Sequence, residues 1–163
     1  MKFSAVSMVA SIMCFMILSF ITPSHAFSQP NVADSKRPSF KIFSLGDECE
    51  IRLQPSPLIG GPSWLPVHVK LILRSKERCD DYVCDFVPLN ATDSQVLSRL
   101  TRFQSVPGLI RTKSMDQRSI NLVVQEAQNY CESYPRELNL VTNNCWTFVI
   151  RLTMHLLSVQ QKR

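Results

Sequence analysis

Along residues 65–74, LPVHVKLILR, apolar and polar positions alternate. Val67, Val69, Leu71 and Leu73 fall on one side, and His68, Lys70 and Ile72 on the other. A period of two over ten residues predicts a strand. A polar stretch at 75–81 and a second apolar run at 82–88 make this the first half of a hairpin. Two shorter runs upstream, 40–45 and 49–53, read as further strands joined at Gly46-Asp47. Between them and the hairpin lies PSPLIGGPSWLP, whose four prolines and two glycines predict a loop.

Downstream the period changes to that of a helix. Thr92 and Gln95 have capping-box spacing ahead of Val96, Leu97, Leu100 and Phe103. Residues 106–111 read as a short strand interrupted at Pro107-Gly108. A second helix is predicted over 119–133, with Ile120, Val123, Val124, Ala127 and Tyr130 on one face and Pro135 as its stop. Residues 139–141 read as extended. A last helix runs over 145–159, apolar nearly all round and so expected to be buried. The pattern predicts an α+β domain: a small antiparallel sheet packed on a buried C-terminal helix.

The first 26 residues have a different logic. One positive charge, Lys2, precedes an apolar run from Ala5 to Ile21, then Pro23 and Ser24-His25-Ala26. That order matches a cleavable signal peptide, with the cut after Ala26; uncleaved, it would be a signal anchor in contact with a membrane. Residues 27–39 lack periodicity and read as a linker or transit-like segment, which leaves 40–163 as the domain. The junction SHA-FSQP resembles the presequence junction of algae whose plastid lies inside the endomembrane system. That resemblance implies plastid import by the secretory route; the alternative is secretion or residence in the endomembrane lumen. Asn90-Ala91-Thr92 is a glycosylation sequon, meaningful only in such a lumen.

The net charge of +5 falls to +4 once Lys2 is removed. Basic residues are scattered and no aromatic-interleaved basic stripe occurs, so nucleic acid is not an expected partner.

Three residues in these elements point to chemistry. Cys145 opens the last helix, where unpaired N–H groups and the positive end of the dipole favour a thiolate. His68 lies in the first hairpin strand and Asp85 in the second, as cross-strand neighbours if the register agrees. An imidazole would take the thiol proton and a carboxylate would fix the imidazole's tautomer. Helix-start N–H groups, with the side chain of Asn143 or Asn144, would face a developing oxyanion. His155 lies ten residues along the same helix, about 15 Å from the sulfur. A histidine partner for Cys145 is therefore His68.

The segment NLVTNNCWTF resembles the nucleophile motif of circularly permuted papain-like proteins. It is most similar to that of uncharacterised eukaryotic transmembrane proteins with the pattern H…(V/I)xDF…NLLTNNCxxF, matched here by His68 and by Cys84-Asp85-Phe86. The wider clan holds NlpC-type peptidases, lecithin retinol acyltransferase-like enzymes and PPPDE isopeptidases. The likeness covers residues 64–157. It implies a permuted papain-like fold and a thiol hydrolase or acyltransferase of amidase, isopeptidase or thioesterase class, acting on an acyl, amide or peptide substrate. A binding module that has lost activity is the second expectation, and a small exported structural protein the third. Two departures stand out. Seventeen positions separate His68 from Asp85, so RSKERCDD reads as an insertion that brings Asp80 and Asp81 forward as alternative acids. Trp146 stands where the family has a small or polar residue.

Setting Cys145 aside, Cys49, Cys79, Cys84 and Cys131 can pair in three ways, and Cys79 with Cys84 would close the hairpin turn. No CxxC pair and no suitably spaced histidine point to zinc, and no cofactor is expected.

Overall fold

The structure, a computed structural model, describes residues 38–45, 49–57, 68–76, 81–114 and 122–162. The leader, the linker up to residue 37 and the loop at 58–67 lie outside the described residues, as do Cys79 and Asp80. Among the described residues six strands form one antiparallel sheet in sequence order: β1 (Phe40–Leu45), β2 (Cys49–Ser56), β3 (His68–Ser75), β4 (Asp81–Pro88), β5 (Val106–Ser114) and β6 (Glu137–Leu138). Three helices accompany them: α1 (Ser94–Thr101), α2 (Leu122–Ser133) and α3 (Cys145–Gln161). The domain is α+β, as the pattern predicted.

The core face follows from the alternation. Cys49, Ile51 and Leu53 of β2, Val69, Leu71 and Leu73 of β3, and Tyr82, Cys84 and Phe86 of β4 are all buried. They pack against Val123, Ala127 and Cys131 of α2 and Phe148, Val149, Leu152 and Leu156 of α3. Each large side chain buried this way contributes about 1.5–3 kcal/mol. Phe86 sits at the centre, edge-on to Tyr134 and tilted against Phe148 at centroid distances of 5.6 and 5.7 Å.

Besides β2 running on through Pro55 and Ser56 into the expected loop, and a turn at 140–141 where an extended run was expected, three expectations change. Helix α3 is not buried all round: Cys145, Phe148, Val149, Leu152, Thr153 and Leu156 form one buried stripe, while Met154 and Arg151 face solvent. Its outer apolar residues lie half-exposed, and the helix behaves as an amphipathic one. The cap of α1 is Asp93 rather than Thr92; its carboxylate accepts from the N–H groups of Gln95 (2.7 Å) and Val96 (3.3 Å). Third, β5 is not broken at Pro107-Gly108 but runs nine residues through them. The Pro107 carbonyl accepts from Leu89, just past the end of β4, where a missing N–H removes no ladder bond. Gly108 is required there. A Cβ would lie 2.5 Å from Phe86 Cε2 and 2.9 Å from the Arg136 carbonyl, which already accepts from the Gly108 N–H at 2.5 Å.

Candidate active site

The ladder between β3 and β4 sets where the site forms. It runs from Arg74↔Asp81 to Leu71↔Cys84, while β2–β3 continues to Ser56↔His68 and β4–β5 to Pro88↔Gly108. Continued by one pair, it would set Lys70 opposite Asp85. His68 and Asp85 therefore lie just past the last β3–β4 pair. There the two side chains meet: His68 Nε2 is 2.5 Å from Asp85 Oδ1, with both residues 4% exposed. The other carboxylate oxygen accepts from Arg111 Nη2 at 2.6 Å, from the residue directly opposite Asp85 on β5.

Cys145 completes the arrangement from the start of α3. The Cys145 side chain lies close enough to His68 to bear on the ring's ionisation, and because Nε2 is engaged by Asp85, Nδ1 is the ring nitrogen left for another partner. Cys145 is 9% exposed. The structure thus brings together all three residues singled out from the sequence. Burial alone would lower the pKa of His68. The hydrogen bonds and charges of Asp85 and Cys145 outweigh it and raise the value to about 9. Burial would likewise raise Asp85, but the bond and charge of His68, with Arg111 and Lys70 behind them, hold its carboxyl below the ordinary range. Near neutral pH the ring is an imidazolium between a sulfur and a carboxylate.

The two asparagines before the cysteine serve the backbone. Asn144 is the N-cap of α3: its Oδ1 accepts from the Thr147 N–H (3.0 Å), and the Thr147 hydroxyl accepts from the Asn144 N–H (2.7 Å). Its amide donates to the Leu140 carbonyl (2.7 Å). The Asn143 amide donates to the Glu137 carbonyl (2.6 Å), and its Oδ1 accepts from the Tyr134 hydroxyl. These bonds fix the turn that delivers Cys145 and commit one amide hydrogen of each asparagine to a main-chain carbonyl. The alternative acids separate as well. Asp81 is held by Arg74 through two bonds of 2.8 Å, and Asp80 lies outside the described residues. His155 stacks on Tyr130 at 4.9 Å and lies 3.7 Å from Glu126, facing α2.

Arg111 is the residue that the sequence reading missed. Its signal lay in the register of β5, hidden by the apparent break at Pro107-Gly108. Ser56, buried and directly opposite His68, is a second polar neighbour that came to light only with the fold. Among the described cysteines, 49, 84, 131 and 145 are in the reduced, thiol form. Cys84 faces Cys131 in the core, and Cys79 lies outside the described residues. Among the described residues, no group of three or more His, Cys, Asp or Glu side chains is arranged to hold a metal ion. Nor is any helix among them long and apolar enough to cross a membrane. No family model, curated protein or solved structure matches the chain.

Proposed function

We propose that the chain is a thiol hydrolase or acyltransferase of circularly permuted papain-like type, working through Cys145, His68 and Asp85. The observation that carries this reading is the buried His68–Asp85 pair, just past the last β3–β4 pair, with Cys145 at the start of α3 near enough to act on the His68 ring. The Cys145 sulfur attacks an acyl carbon, and the electron pair of the carbonyl moves to its oxygen. The positive end of the α3 dipole lies beside that oxygen and stabilises it. Collapse expels an amine, alcohol or thiol, which takes its proton from the His68 imidazolium. The neutral ring then draws a proton from water or from an acceptor nucleophile, which attacks the thioester and releases Cys145. Asp85 keeps Nε2–H bonded and so keeps Nδ1 toward the sulfur.

Two reagents test this on the folded, reduced protein. Iodoacetamide at about pH 6.5 is expected to alkylate Cys145 before Cys49, Cys84 and Cys131, and His68→Ala to slow that reaction about tenfold or more. An activated acyl ester is expected to leave an acyl group on Cys145 that water then removes, with no adduct in Cys145→Ser. Alkylation no faster than that of the core thiols, unchanged by His68→Ala, overturns the reading. The low exposure of Cys145 and His68 favours a second one, a binding module that keeps the scaffold without turnover. It predicts little alkylation of Cys145 without denaturant, no effect of His68→Ala, and no acyl adduct.

A further inference from the structure

Cys84 and Cys131 take no part in the site, yet the fold places them together. Cys84 lies on the core face of β4 between Tyr82 and Phe86, wholly buried. Cys131 lies in the last turn of α2 and is 4% exposed. Their sulfurs are 3.8 Å apart, in S–H···S contact across 47 positions of chain. A disulfide needs about 2.05 Å between sulfurs, so closure requires a shift of under about 2 Å shared by two side chains. The shared proton is unevenly held. The contact with Cys84, with the charge of Arg136 assisting, lowers the pKa of Cys131, while Cys84 is pushed well above its ordinary value by the same contact and by burial. Cys131 is thus the better nucleophile, and its place at a helix end gives it the readier access to a small reagent through local fraying.

We propose that Cys84 and Cys131 form a reversible disulfide that ties β4 to α2, a modification site separate from the Cys145 centre. The oxidant is a peroxide. The Cys131 thiolate attacks one peroxide oxygen, the O–O bond breaks, and sulfenic acid and hydroxide form. The Cys84 thiol then attacks the sulfenic sulfur, an S–S bond forms, and water leaves with the Cys84 proton. Two thiols lose two electrons in all, and hydrogen peroxide becomes two waters. The bond forms one residue before Asp85, whose two oxygens hold His68 and Arg111. Oxidation therefore acts on the strand that carries the site's carboxylate, whether or not Cys145 turns over a substrate.

The test is peptide mapping. The folded protein is treated with hydrogen peroxide, its remaining thiols are alkylated in acid denaturant to prevent exchange, and the digest is analysed without reduction. The expected product is a Cys84–Cys131 linked peptide, two hydrogens lighter than its two halves, which dithiothreitol splits. The oxidised protein should also melt several degrees higher, because the bond closes a long loop in the unfolded chain. Cys131→Ala should abolish the linked peptide and the increment while its reduced form still unfolds cooperatively. Recovery of both residues as alkylated thiols, or of Cys84 bonded to any other cysteine, overturns the proposal. An increment in melting temperature that persists in Cys131→Ala overturns it equally.

Discussion

Asp85 carries the most consequence of any single side chain, because each of its oxygens answers to a different cation. Oδ1 meets a buried imidazole, and Oδ2 meets a guanidinium whose side chain is 48% exposed. The two contacts are unequal in effect. Solvent screens the Arg111 pair, so its direct worth is of the order of a surface ion pair, about 0–1 kcal/mol. The His68 contact is buried on both sides and sets the protonation of the ring. Asp85→Asn is therefore expected to lower the His68 titration from about 9 by roughly one unit or more. Arg111→Gln removes a positive charge from the far side of the carboxylate and should not lower it. Proton NMR of the His68 ring across pH 5–10 reads both shifts directly. Equal shifts in the two variants would mean that the guanidinium, not the carboxylate contact, controls the ring.

At the scale of elements, the turn before α3 determines whether Cys145 is delivered at all. Asn144→Ala removes the side-chain acceptor of the Thr147 N–H and the donor to Leu140, so a loss of about 1–2 kcal/mol is expected. Asn144→Ser should recover part of that loss by accepting from the same N–H, and urea unfolding of the three proteins measures it. No loss in the alanine variant would show that packing of Phe148 and Leu152 alone fixes the helix start. The same elements show what the sequence could disclose. Strand alternation in β3 and β4 was strong enough to put His68 and Asp85 on neighbouring strands but left their register open, and the breaker-free apolar run starting at Cys145 marked the helix start. Local chemistry decides those features, so a local reading finds them. What it missed was tertiary in origin. Pro107-Gly108 reads as a break because these residues weaken strands in general. Here the proline falls past the end of β4, and the glycine is demanded by Phe86 and the Arg136 carbonyl. With the strand read as broken, Arg111 had no register and could not be set opposite Asp85. Likewise the all-round apolarity of α3 was a fact of composition, while the width of its buried stripe depends on how much sheet is there to cover it.

For the whole domain, residues 68, 85, 111 and 145 meet only when the sheet and α3 are formed together, so their ionisation is coupled to folding. His68 titrates at about 9 in the fold and near 6.5 when unfolded. A raised folded value means stabilisation that is fully present below pH 6.5 and is lost as pH rises toward 9. Asp85 is shifted the other way, so its contribution is present above its unfolded value of about 3.8 and fades as pH falls through its lower folded value. Together the pair favours the fold most between about pH 4 and 6.5. Other buried acids act outside this window: burial raises the pKa of the Tyr82 hydroxyl, the Cys131 contact together with burial raises that of the Cys84 thiol, and their deprotonation opposes folding only at more alkaline pH. The melting temperature of the reduced protein is therefore expected to decline between pH 6.5 and 9 and to fall more steeply above that. His68→Gln keeps a polar group of similar reach but cannot titrate. It should lower the melting temperature at pH 6 and flatten the decline between 6.5 and 9, while leaving the alkaline fall in place. Parallel profiles for the two proteins through that interval would mean that the buried imidazolium contributes nothing to the stability of the fold.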